Sequence, residues 1–413
     1  MKIPAIVLLI ALPLPGFAQS FQTDYEQFRS VKANDYAGCI EKGSKLIKTV
    51  RYPSILYRLA ECYCQADSLD KSFSLLSELA IKGLPYDVAN NKNFDKLYVR
   101  KGFRTLVPLF TTIAKPVLSS ENAFTLDDPG MIPEGIAATA DGKRFFVSSL
   151  AQHKIVEHMP DSRQKDFIPA DCNGIWMVLG MKVSPDGKTI WVCSASEKEP
   201  YNGYSGIFGF DLATGKLVNK YILDNKDRDH LFNDLVITSD NVLYFTDSKA
   251  GKVYTLNLNE GRITPLVAQD FIYPNGIALD EGTNTLYVAD RTGITCIYLP
   301  TQVLVSMENE TRGYLNYIDG LYYYKNSLIA IQSSGNDKDR VVRFNLSSSK
   351  QKIESCKVLE AFHPDYQEPT TGVIVNDDFY FIAISHVSHL QPDGTITHPE
   401  QLKKPLIKKI RLN

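Results

Sequence analysis

Six restarts constrain this chain more than any other feature. PEGIA, LGMKV, NDLVI, PNGIA, DGLYY and TGVIV each open a short apolar run. A second run follows about 11 or 12 residues later: FFVSS, WVCSA, YFTDS, YVADR, AIQSS and IAISH. The aligned position in these restarts is successively Glu134, Leu179, Asn233, Asn275, Asp319 and Thr371, at intervals of 42 to 54 residues. Asp141-Gly142, Ser184-Pro185-Asp186-Gly187 and Asn376-Asp377 sit between such runs as hairpin turns. One four-stranded blade needs about that many residues. Six blades in radial repetition close on themselves and leave few exposed sheet edges. The fold expected for residues 120–413 is therefore mainly β, a six-bladed β-propeller.

The front of the chain follows another period. Over residues 20–115, DYAGCIEKGSKLI and PSILYRLAECYCQADSLDKSFSLLSELAIKG carry apolar residues at i, i+3, i+4 and i+7. Pro53 opens one helix and Gly83 closes another. Asp35-Tyr36-Ala37 and Ile40 recur as Asp70-Lys71-Ser72 and Leu75, an offset near the tetratricopeptide period. A small tetratricopeptide-like helical region and a plain helical domain packed on the propeller both fit. KPVLSSENAF marks the boundary. Because a closed propeller buries its own core, residues 20–115 are expected to be dispensable for it. The exceptions are helices covering an apolar face, or a strand around Phe124 closing the last blade.

Residues 1–18 read as a signal peptide. Lys2 is its charged start, Ala5 to Leu14 its apolar stretch and Gly16-Phe17-Ala18 its cleavage site. Prolines interrupt the stretch, and it is shorter than the roughly 20 residues of a spanning helix. The expected location is secreted or periplasmic, with no membrane span. A net charge of −2, with no basic cluster among aromatics, argues against nucleic acid. The seven cysteines are scattered. Cys62 and Cys64, two apart on a helix, make neither a redox pair nor a zinc knuckle.

In a propeller the innermost strands all start at one rim, so their opening positions converge on the channel. Glu134, Asn233, Asn275 and Asp319 put side-chain oxygens there, whereas Leu179 and Thr371 do not follow that pattern. Two carboxylates and two amide carbonyls suit a hard divalent cation. A soft metal would want Cys or His. Each of the four is also an ordinary turn former, and only their coincidence at one structural position points to a metal.

PEGIA, FNDLVITSDNVLYFTDS, YPNGIALDEGTNTLYVAD and YIDGLYY make residues 120–413 resemble the senescence marker protein/gluconolactonase (regucalcin-like) family, which is related to the paraoxonases. The resemblance implies a divalent ion, Ca2+ in first place with Zn2+, Mg2+ and Mn2+ as alternatives, held by Glu134, Asn233, Asn275 and Asp319. It implies metal-assisted hydrolysis of a lactone or related ester, with Asp319 doubling as catalytic base. Asp234, Asp247, Asp290 and Gln332 lie at strand ends expected near the same rim. The first two are candidates to orient ligands or substrate, and the last two read better as turn residues. His386 and His389 read as surface histidines. No Gly-x-Ser-x-Gly elbow is present. The rival function is a non-catalytic propeller that binds a small ligand, with the helical region meeting a protein partner.

Overall fold

The structure is a computed structural model that describes residues 17–413 apart from 225, 227, 310, 312 and 334–337. Most of the expected leader, residues 1–16, lies outside the described residues.

Six antiparallel blades form the propeller, as the restarts predict. Their inner strands are Ile136–Ala138, Met177–Val183, Phe232–Ile237, Ile277–Asp280, Ile318–Tyr324 and Gly372–Val375. The second strands Thr285–Asp290 and Ser327–Gln332 are buried at every residue. They are sandwiched between neighbouring blades, which is why they read as continuous apolar runs rather than alternating ones. The ring closes with a strand from the front of the chain: Glu121–Thr125 pairs with Leu406–Arg411 as the outer strand of the sixth blade. The lead-in around Phe124 is thus part of the propeller.

Glycine after the restart position lets inner strands crowd together. A Cβ on Gly135 would lie 2.0 Å from the Leu179 carbonyl oxygen, and one on Gly276 2.6 Å from that of Asp319. Both are steric collisions that only glycine avoids.

Five α-helices precede the ring: α1 (Phe17–Arg29), α2 (Tyr36–Leu46), α3 (Pro53–Gln65), α4 (Leu69–Ile81) and α5 (Lys101–Ile113). Pro53 occupies the first turn of α3, where its missing N–H costs nothing. Gly83, at φ +70°, stops α4, with the Leu84 N–H bonded to the Leu79 carbonyl. Cys39 in α2 pairs with Cys62 in α3, while Cys64 stays free and buried.

The helices are seated on the propeller. Tyr314 of the fifth blade is buried among Leu56, Leu76, Phe94 and Phe103 of the helical core. Ile272 of the fourth blade joins Phe21, Phe28 and Ile55. Ser119 and Ser120, in the connection, donate to the buried Glu360 carboxylate. The expectation of a dispensable front does not fit this packing, because its helices cover apolar propeller surface. Among the described residues, no helix is long and apolar enough to cross a membrane.

Candidate metal centre and active site

A cavity of about 460 Å³ opens at the rim where the inner strands begin, and Glu134, Asn233, Asn275 and Asp319 all line it. Four blades, 185 residues of sequence apart at the extremes (319 − 134), deliver them to one place. Hydrogen bonds fix which amide atoms face where. The Ser248 hydroxyl has one proton, donated to the Pro274 carbonyl at 2.6 Å. Ser248 must therefore accept from Asn233, whose Nδ2 lies 3.0 Å away. That commits the Asn233 amide nitrogen and leaves its carbonyl oxygen outside the bond. Asn275 Nδ2 donates to Asp319 Oδ1 at 2.7 Å. Its own Oδ1 is buried with no partner. An unpaired buried acceptor costs about 1–3 kcal/mol, so something that supplies positive charge belongs there.

The neighbouring blade completes the frame. Thr371, the sixth restart position, donates with Thr370 to the Glu134 carbonyl oxygen at 2.5 and 3.1 Å. The sixth blade thus positions the residue beside it.

Burial pushes the Glu134 carboxyl well above the usual range, and the charges of Asp319, Asp234 and Glu368 push the same way. Burial takes Asp319 to about 6, against the pull of the Asn275 amide and with help from Asp234 and Asp339. Asp234 sits deeper in the channel with one carboxylate oxygen unpartnered, and Lys182 lies 3.6 Å from the other. Burial raises its pKa as well, with Lys182 opposing. Several carboxylates therefore share a low-dielectric space, with Lys182 beside Asp234, which is costly for ionised groups. Among the described residues no group of three or more His, Cys, Asp or Glu is placed to hold a metal ion. The set here has only two carboxylates, its other members being amides. All-oxygen donors, an orphaned carbonyl and crowded negative charge fit a hard divalent cation.

Asp247 stands away from the cavity. Fully buried, it accepts from Leu231 N (2.9 Å), Ala250 N (3.0 Å) and His230 Nδ1 (2.6 Å), clamping the loop that leads to Asn233. Asp290 does the same one blade on, accepting from Ile272 N and Thr292 N at 2.9 and 2.7 Å, although it also lines the cavity. Gln332 repeats the clamp in the fifth blade, donating to the Tyr314 and Asn316 carbonyls. His386 is buried rather than at the surface, and its Nε2 accepts the Lys403 amide. His389 bonds the Thr397 carbonyl.

Sequence reasoning did not find the outer wall. Tyr52, at the start of α3, lines the cavity with Tyr273, Arg291 and Tyr317 of the propeller. The Tyr52 and Tyr317 rings are 4.7 Å apart, and Tyr317 OH accepts the Ser54 N–H. Arg291 lies over Tyr25 of α1 and Tyr273, at 5.3 and 4.7 Å. Tyr52 carries no local motif, so only the docking of the helices reveals its place.

Residues 132–299 match the family model described as SMP-30/Gluconolactonase/LRE-like region. Among solved structures, the calcium-binding protein regucalcin from Agrobacterium tumefaciens is 18% identical with a TM-score of 0.50, covering 71% of this chain and 93% of its own. A gluconolactonase from Xanthomonas campestris is 16% identical with a TM-score of 0.47, covering 71% and 95%. Virginiamycin B lyase from Staphylococcus aureus is 15% identical with a TM-score of 0.47, covering 72% and 99%. No curated protein matches the chain. The expected family resemblance is met over residues 132–299, and the likeness to regucalcin is one of fold.

Proposed function

We propose that this chain is a divalent-cation-dependent hydrolase of a lactone or related ester, acting at the channel rim. The observation that carries the reading is the buried, unpartnered Asn275 Oδ1 beside Glu134, Asn233 and Asp319 in one cavity. A bound divalent cation, Ca2+ in first place, supplies Lewis-acid polarisation of the acyl carbonyl and a lowered pKa for water. Glu134, Asn233, Asn275 and Asp319 hold it. Asp319 also acts as base: Asn275 engages its Oδ1, and Oδ2 takes the proton as the water oxygen bonds to the acyl carbon. The ring C–O bond breaks, that proton passes to the leaving alkoxide, and a hydroxy acid results. Leu150, Met177 and Leu179 give the cavity an apolar side that limits competing water.

The match over residues 132–299 supports this reading. Turnover of a lactone panel tests it, with Ca2+ and with EDTA: hydrolysis should need the ion. Equal rates in both would overturn it. Calcium binding without turnover of any lactone or ester would favour the binding-propeller alternative. We also propose export, to the medium or periplasm. The Cys39–Cys62 pairing supports an oxidising compartment.

A further inference from the structure

A second cavity, of about 300 Å³, adjoins the first, and the two share Leu150, Met177, Glu197 and the turn Leu390 to Pro392 as lining. The two spaces lie side by side along these residues. At one end stand the four oxygens. At the other the lining includes Ile175, Trp176, Ala195, Pro200 and Tyr201. Trp176 and Tyr201 rings are 5.6 Å apart, and Tyr201 is 49% exposed. The Trp176 N–H of the backbone donates to Ser194 Oγ at 2.9 Å, which anchors the ring's loop.

Lys198 and Glu199 also line this end, and other charged groups there are paired. Glu197 pairs with Lys249 at 2.7 Å, and His153 Nδ1 meets Asp171 Oδ1 at 2.7 Å. Between these polar groups, Leu150, Met177, Trp176, Tyr201 and Leu390 give an apolar and aromatic strip beginning beside the reactive centre and running outward past blades one, two and six. Such a surface rewards a ligand that leaves water along its length.

We propose that the two spaces together form a cleft that takes a lactone or ester bearing an apolar arm, the ring at Asp319 and the arm along Met177 and Leu390 to Trp176 and Tyr201. This rests on the hydrolase reading above and specifies its substrate class: an alkyl- or aryl-substituted lactone rather than a polyhydroxylated one.

The test is a series of γ-lactones with progressively longer alkyl arms, assayed with Ca2+. kcat/KM should rise about two- to fourfold per methylene until the cleft is filled, the factor that burying one methylene supplies. Trp176→Ala and Tyr201→Ala should flatten the series, while calcium affinity and turnover of the unsubstituted lactone stay unchanged. A flat series in the wild type, or a preference for polyhydroxylated lactones, would overturn the proposal. A binding measurement separates this inference from the hydrolase reading. Of the chain's two tryptophans, Trp191 is buried, so emission changes on ligand binding report Trp176. Titration with a long-chain alkyl lactam, which is not turned over, should give a saturable blue shift, weakened several-fold in Tyr201→Ala. No saturable change would sink the arm site even if calcium-dependent hydrolysis is found. A clear shift without hydrolysis would sustain the arm site and sink the hydrolase.

Discussion

At Asp319, binding and stability pull in opposite directions. Its carboxyl titrates near 6 in the fold against an ordinary 3.8, chiefly because it is buried. A raised folded pKa means that the fold favours the protonated form. In chelator its contribution is therefore complete below about pH 4 and is lost as pH rises through 6. The upper bound is about 3 kcal/mol, shared with Glu134 because the two titrate as a pair. Asp319→Asn keeps the shape and removes the charge. In EDTA, the wild-type melting temperature should fall between pH 5 and 7.5, and that of Asp319→Asn should fall less. In Ca2+ at pH 7.5 the ranking should reverse, with calcium affinity in the variant down at least about tenfold and hydrolysis lost with it. Leu179→Met, at the equivalent position of blade two, should leave calcium affinity unchanged. Thermal melts and calcium titrations check both, and an unchanged affinity in Asp319→Asn would place the cation elsewhere. The convergence of these residues was legible in the sequence because a repeat aligns blades whatever their loops do. Their second partners were not legible: that Ser248 sets the rotation of the Asn233 amide depends on blades three and four touching.

Among the elements, the strand-end clamp recurs in chemically different forms. Asp247, Asp290 and Gln332 close the second strand of blades three, four and five, and each ties down the loop that returns to its own inner strand. From sequence, an acid at a strand end near a suspected site is equally a clamp or a participant in chemistry, because both need a carboxylate at the rim. Hydrogen bonding separates them: the two oxygens of Asp247 are taken up by two backbone N–H groups and by His230. Asp247→Ala would strand those buried donors and should cost about 2–4 kcal/mol in urea unfolding. Asp247→Asn retains an acceptor for the backbone, and His230 can change tautomer to meet the new amide. It should cost about 1 kcal/mol and keep most of the activity. A catalytic charge would show the opposite pattern, with Asn as inactive as Ala and hardly less stable than wild type.

For the whole molecule, the sequence separates two periodicities cleanly, yet the boundary between them is not where the structure divides. Glu121–Thr125 belongs to the sixth blade through its pairing with Leu406–Arg411, and the helices bury Ile272 and Tyr314 on the rim. Periodicity reports what each element buries on its own face, not which other element it is buried against, so Tyr52 beside the cavity was invisible until the helices docked. Two truncations distinguish closure of the ring from cover over its rim. A chain beginning at 127 loses the outer strand of blade six, leaves Leu406–Arg411 as an open edge, and should fail to give a cooperative melt. A chain beginning at 118 keeps that strand, so its blades should form with near-native circular dichroism. It also uncovers Ile272, Tyr314 and Tyr317, whose burial contributes on the order of 2 kcal/mol apiece. It should melt lower than the full chain and self-associate in gel filtration, because these side chains then add apolar surface at the rim. Ile272→Ser with Tyr317→Ser in that shortened chain should restore a monomer without restoring the melting temperature, since only that surface is repaired. Should the chain from 118 elute as a monomer and melt with the full-length protein, the helices would be an appendage, and Tyr52 no part of the cavity wall in solution.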